Sequence, residues 1–184
     1  MSFEQDRLLL EALEAHKKNE EIYSLLDECV QKGYNPTHDS YSLFNMAIEL
    51  QEAPEYIAEF MMTIMQHPSF ICKKEEMPEW LVSHYAASSY WLDVSLYNDK
   101  AYKYASNSRH LNSADARLVK MLDVGVMMME KGFDLRSGQS DFGKGFGCGC
   151  AVFFLRQCVK RYDYKHQHKK QQKARMPNQS KQRE

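Results

Sequence analysis

No apolar run in this chain of 184 residues approaches the ~20 residues that a membrane-spanning helix needs. The opening "MSFEQDRLLLEALEAHKKN" has no basic segment leading into an apolar core. A secretory signal is therefore not expected, and the chain is expected in the cytoplasm of its own cell or in that of a host. Cysteine is scarce and unpaired by number: five residues, Cys29, Cys72, Cys148, Cys150 and Cys158, with no framework spacing. That favours free thiols in a reducing compartment over a disulfide-stapled scaffold. Alternating apolar and polar residues, the mark of half-buried strands, are also missing. Net charge is nearly absent at −1, but it is unevenly spread. From Lys160 onward nine Lys/Arg face only Asp163 and Glu184, which leaves an acidic body and a basic tail.

What is present is helical periodicity. Apolar residues recur at three and four spacings in Leu8–Leu9–Leu10–Leu13, Ile22–Leu25–Leu26–Cys29–Val30, Ile57–Phe60–Met61–Ile64–Met65 and Leu118–Met121–Leu122–Met128–Met129. Glycine marks helix ends. In "QKGYNPTHD", Gly33 stands where a left-handed cap is needed and Pro36 prevents continuation; in "MEKGFDLRSG", Gly132 repeats the device. Between them a short helix opened by Ser42 and built around Ala47 precedes a second one started by Pro54. The reading is all-α: stacked helix-turn-helix units, about four of them, joined by irregular long loops. The domain is expected over residues 1–160, and residues 161–184 are expected to form a basic, disordered tail.

Helix pairs closed by glycine resemble the ankyrin-repeat family. "LFNMAI", Leu43 to Ile48, falls where the family's P-L-H-x-A element would lie, with Asn45 for His and Ala47 for Ala. "SHYAAS" keeps His84, Ala86 and Ala87, whereas "GCGCAV" keeps only Ala151. Gly33 and Gly132 are similar to the glycine after the outer helix, and His67 in "MQHPSF" takes that place between them. Thr-Pro pairs that normally begin each unit are missing. The resemblance implies a non-enzymatic module that binds a protein partner through loops and a concave face. The contact residues would be Tyr34, His38 and Asp39 in the first loop, Phe70 and Lys73 in the second, and Phe133 and Arg136 in the last. Degenerate units and a Lys/Gln-rich end are also similar to bacterial effectors delivered into host cells.

The stretch "GQSDFGKGFGCGC", residues 138–150, concentrates five glycines and two cysteines. Gly138, Gly143 and Lys144 follow the spacing of a phosphate loop, but Gly145 occupies the position of the hydroxyl that holds magnesium. Zinc would need Cys148, Cys150 and Cys158 with His166 or His168, and Cys-x-Cys lacks the usual two-residue gap. The alternative function is a small thiol hydrolase or transferase using Cys150 or Cys148, with a thiolate stabilised at a helix N-terminus and His84 as base. The simpler reading is the entrance to the "CAVFFLRQCV" helix, where glycine lets a long loop change hand. No cofactor and no metal are expected, nucleic acid only through the tail, and the protein is expected to be a monomer.

Overall fold

The computed structural model describes residues 2–50, 52, 54–72, 116–133, 135, 136 and 149–175. Among them are six helices and no strand: α1 (Ser2–Glu14), α2 (Asn19–Gln31), α3 (His38–Glu49), α4 (Pro54–Gln66), α5 (Ala116–Glu130) and α6 (Gly149–Arg175). The all-α reading therefore holds.

The apolar periods become the buried stripes. Leu9, Leu10 and Leu13 of α1, Ile22, Leu26 and Cys29 of α2, and all five of Ile57, Phe60, Met61, Ile64 and Met65 of α4 are buried. Each such large side chain contributes about 1.5–3 kcal/mol by leaving water. Leu8 is the exception in its run and stays 41 % exposed, because the period of 3.6 turns it away from the face of Leu9 and Leu13. Ala47 is fully buried on α3, and its small side chain permits the close packing that this helix makes with its neighbours. α1 packs against α2 and α3, α2 and α3 each against α4, α4 against α5, and α5 against α6.

Three helices end in the same hydrogen-bond pattern. Gly33, with φ of 90°, donates to the Val30 carbonyl and Tyr34 donates back to Cys29. Gly132, with φ of 103°, donates to Met129 while Phe133 donates to Met128. These are the two crossed bonds of a Schellman end, each followed by an aromatic residue that folds back onto the helix. His16 closes α1 in the same way at φ of 50°, a costly conformation offset by its bond to Leu13, the Lys17 bond to Ala12, and its ring contacts with Glu52 and Tyr56. His67 does not copy the glycine device. Its ring nitrogen Nδ1 instead accepts the Ser69 backbone N–H at 3.2 Å and lies 2.7 Å from the Ser69 hydroxyl.

α6 departs from the expected boundary. Residues up to Arg175 are helical, so the helix runs on past residue 160 into the basic segment. Arg161 and Lys165 both donate to Asp123 Oδ1 at 2.8 Å, and this ties the start of the basic segment to α5. The helix begins at Gly149, while residues 138–148 lie outside the described residues. Among the described residues no helix is long and apolar enough to cross a membrane.

Candidate functional site

Asp6 is a charged residue in the core, with no exposed surface, on the face of α1 that meets α3. A buried carboxylate is tolerated only where hydrogen-bond donors replace its water. Three side chains do so. Tyr34 donates its phenol proton to Oδ1 in a short bond. His38 Nε2 lies 2.8 Å from Oδ2 and 3.0 Å from Oδ1, and Ser42 Oγ donates to Oδ2 at 3.0 Å. An acceptor-only carboxylate requires the imidazole proton to sit on Nε2. Burial above all, and then the bond to Asp6, hold the Tyr34 proton on far above the ordinary tyrosine range.

His38 and Ser42 bracket a left-handed turn. Asp39, Ser40 and Tyr41 have φ of 46°, 53° and 65°, and regular helix resumes at Ser42. No glycine relieves the turn, and left-handed geometry costs about 1–2 kcal/mol for each such residue. The Asp6 carboxylate grips both sides of it, while Tyr41 is anchored below, its ring 5.4 Å from Phe133 and 6.0 Å from Phe70. Asp39 and Ser40 are consequently presented to solvent, close to the 63 % exposed Phe3, whose ring packs edge-on to His38 at 5.8 Å.

Ser, His and Asp side chains do meet here, but not as a nucleophilic relay. A relay needs the two imidazole nitrogens to face different partners. Here one nitrogen, Nε2, faces both Asp6 and, at 3.4 Å, Ser42, and the Ser42 proton is already given to Asp6. What the arrangement can do is hold a displayed turn in one conformation.

The seven residues expected to contact a partner separate into classes. Tyr34, Phe70 and Phe133 are 5 %, 2 % and 2 % exposed. They are corrected from surface contacts to core residues, because each folds back at a helix end under α3 or into its ring cluster; Phe44 stacks on Phe70 at 5.2 Å. His38 is half-buried and bound to Asp6. Asp39 and Arg136 are exposed, Arg136 paired with Asp163 and lying 5.9 Å from the Tyr162 ring centre. Lys73 lies outside the described residues, as do Cys148, His84 and the side chain of Cys150. Asp6 was missed, since an acid between Gln5 and Arg7 near a chain start reads as solvated surface.

The described thiols are not activated. Burial pushes Cys29, Cys72 and Cys158 above the ordinary thiol value, Cys158 furthest. Among the described residues no group of His, Cys, Asp and Glu has the arrangement to hold a metal ion.

A groove of about 530 Å³ runs between α2, α4 and α5, lined among others by Glu20, Tyr23, Glu59, Met62 and Lys120. Lys120 pairs with Glu59 across it. Compared with known proteins, the chain matches no family model, no curated protein and no solved structure.

Proposed function

We propose that this protein is a non-enzymatic interaction module, built of ankyrin-like helix pairs, that binds a protein partner through the turn held by Asp6. The observation that carries the reading is the clamp itself: a buried carboxylate spends three hydrogen bonds to keep Asp39 and Ser40 in a strained, exposed conformation. Strain of this kind persists where the surroundings over-determine it, and it concentrates at binding and switching sites. A turn that is rigid before binding loses little freedom on binding, which raises affinity without added area.

The order of packing agrees with a stack of pairs. α1 with α2 and α3 with α4 form two hairpins, α1 lies along α3, and α2 along α4. Such a stack leaves the turns between pairs aligned along one edge, where loops can be altered without disturbing the core.

The test uses the exposed residues, since changes at Tyr34 or Phe133 would damage the core. Capture of partners from a lysate of the source or host cell is compared between the wild type and Asp39→Arg/Ser40→Arg, with circular dichroism confirming equal helicity. Loss of a captured protein in the variant is expected. Identical capture by both would remove the turn from the interface.

A further inference from the structure

Among the described residues, nothing covers the end of α6. Leu155, Gln157 and Cys158 are buried, Val159 and Tyr162 pack on the same core, and His166 is stacked on Tyr162 at 4.0 Å with Nδ1 2.9 Å from the Tyr162 carbonyl. Residues 167–171 are all exposed, yet the helix runs on to Arg175. Ten residues from His166 extend about 15 Å at the helical rise. This extension has no acid to form i,i+4 pairs, and Lys169 follows Lys165 at the repelling i,i+4 spacing. A helix that is polar all round and lacks i,i+4 pairs is either held by an outside partner or not stable.

The same chain carries the complementary surface. Residues 2–72 contain thirteen Asp/Glu against four Lys/Arg, whereas α6 contains eight Lys/Arg against Asp163 alone. α2 has no cation between Asn19 and Gln31, and its exposed Glu20 and Glu28 carboxylates have no partner among the described residues. Glu20 lines the groove between α2 and α4, and Glu59 there is already engaged by Lys120. A lysine entering the groove would lay its aliphatic stem on Met62 and place its ammonium group between Glu20 and the ring of Tyr23, which is 38 % exposed.

We infer that the basic end of α6 docks into the acidic α2–α4 groove of a second copy of this chain, with Lys169 and Lys170 meeting Glu20 in the groove and Glu28 about two turns further along α2, beyond the groove lining. This contact replaces the expected monomer and stands independently of the partner-binding turn, which lies on α3. Arm and groove are different patches, so one contact is head-to-tail, and two exchanged arms close a two-fold dimer. The attraction acts between exposed charges and is screened beyond about 8 Å at physiological salt.

The full chain is examined by sedimentation velocity across a concentration series in low and in high salt. Association at low salt and its loss at high salt are expected. Lys169→Glu/Lys170→Glu and Glu20→Lys/Glu28→Lys, all at exposed positions, should each sediment as monomers with unchanged circular dichroism, and an equimolar mixture of the two should associate again. Monomer at every concentration in low salt, association that survives both reversals, or no recovery in the mixture overturns the contact. So does a monomeric protein whose arm binds duplex DNA or RNA and loses it on Lys169→Glu/Lys170→Glu, because the arm then serves phosphates instead.

Discussion

The two carboxylate oxygens of Asp6 lie 2.8 and 3.0 Å from one nitrogen of His38, joining the first helix to the start of the third across 32 residues of sequence. Because Asp6 is fully buried, the bond is protected from solvent competition.

Removing that carboxylate should be costly. Asp6→Ala leaves the donors of Tyr34, His38 and Ser42 without their acceptor, and a buried unsatisfied group costs about 1–3 kcal/mol. A loss of about 3 kcal/mol or more is expected for Asp6→Ala, and a smaller one for Asp6→Asn, which keeps one acceptor oxygen. Urea unfolding of the two variants measures this. Equal midpoints for wild type and Asp6→Ala would mean that the clamp contributes nothing.

Relieving the left-handed turn should stabilise the protein. Ser40 is exposed at φ of 53°, so Ser40→Gly removes about 1–2 kcal/mol of strain, offset by about 0.5–1 kcal/mol of added freedom in the unfolded chain. A net gain of about 0.5 kcal/mol is expected, with Ser40→Val moving the other way. Thermal unfolding read for both variants decides it. If the turn is displayed for binding, Ser40→Gly should also weaken partner capture, since glycine loosens it.

Gly125, in the middle of α5, is a packing residue. A Cβ built there would collide with Cys158 Sγ and meet Cys158 Cβ at 2.9 Å on α6. Overpacking of this kind costs about 1–3 kcal/mol, more than the ~1 kcal/mol of helix propensity that alanine would add. Gly125→Ala should therefore destabilise, and Cys158→Ala in the same chain should recover part of the loss by removing the sulfur. Strictly additive effects in the double variant would show that the two sites do not touch.

The α5–α6 packing should weaken in acid. Burial raises the Asp123 carboxyl, but hydrogen bonds and charge from Arg161 and Lys165 outweigh it and hold the group below its ordinary value. Near the unfolded carboxylate pKa, about 3.9, the unfolded state then binds more protons than the native one. Stability from this group is full above that pH and is lost as the pH falls through the lower folded value. Asp123→Asn should be less stable than wild type at neutral pH and show a flatter decline between neutral and acid conditions. Parallel curves for the two proteins would exclude a folded-state shift at Asp123.

Helix positions and their ends were legible because they depend on near neighbours. The apolar period of Ile57 to Met65 lies within the thirteen residues of α4, and Gly33 and Gly132 take φ of 90° and 103°, a region that glycine enters without steric cost. Tertiary structure alone decided the rest. Asp6 finds Tyr34, His38 and Ser42 at separations of 28 to 36 residues, and no local pattern distinguishes a clamped carboxylate from a solvated one. Tyr34, Phe70 and Phe133 follow helix ends, where an aromatic residue suits a surface or a core equally well; only the fold-back onto Cys29, His67 and Met128 settles them inside. The turn at Asp39–Tyr41 contains no glycine to announce it, and the residues on either side of it, His38 and Ser42, are held by Asp6 of α1.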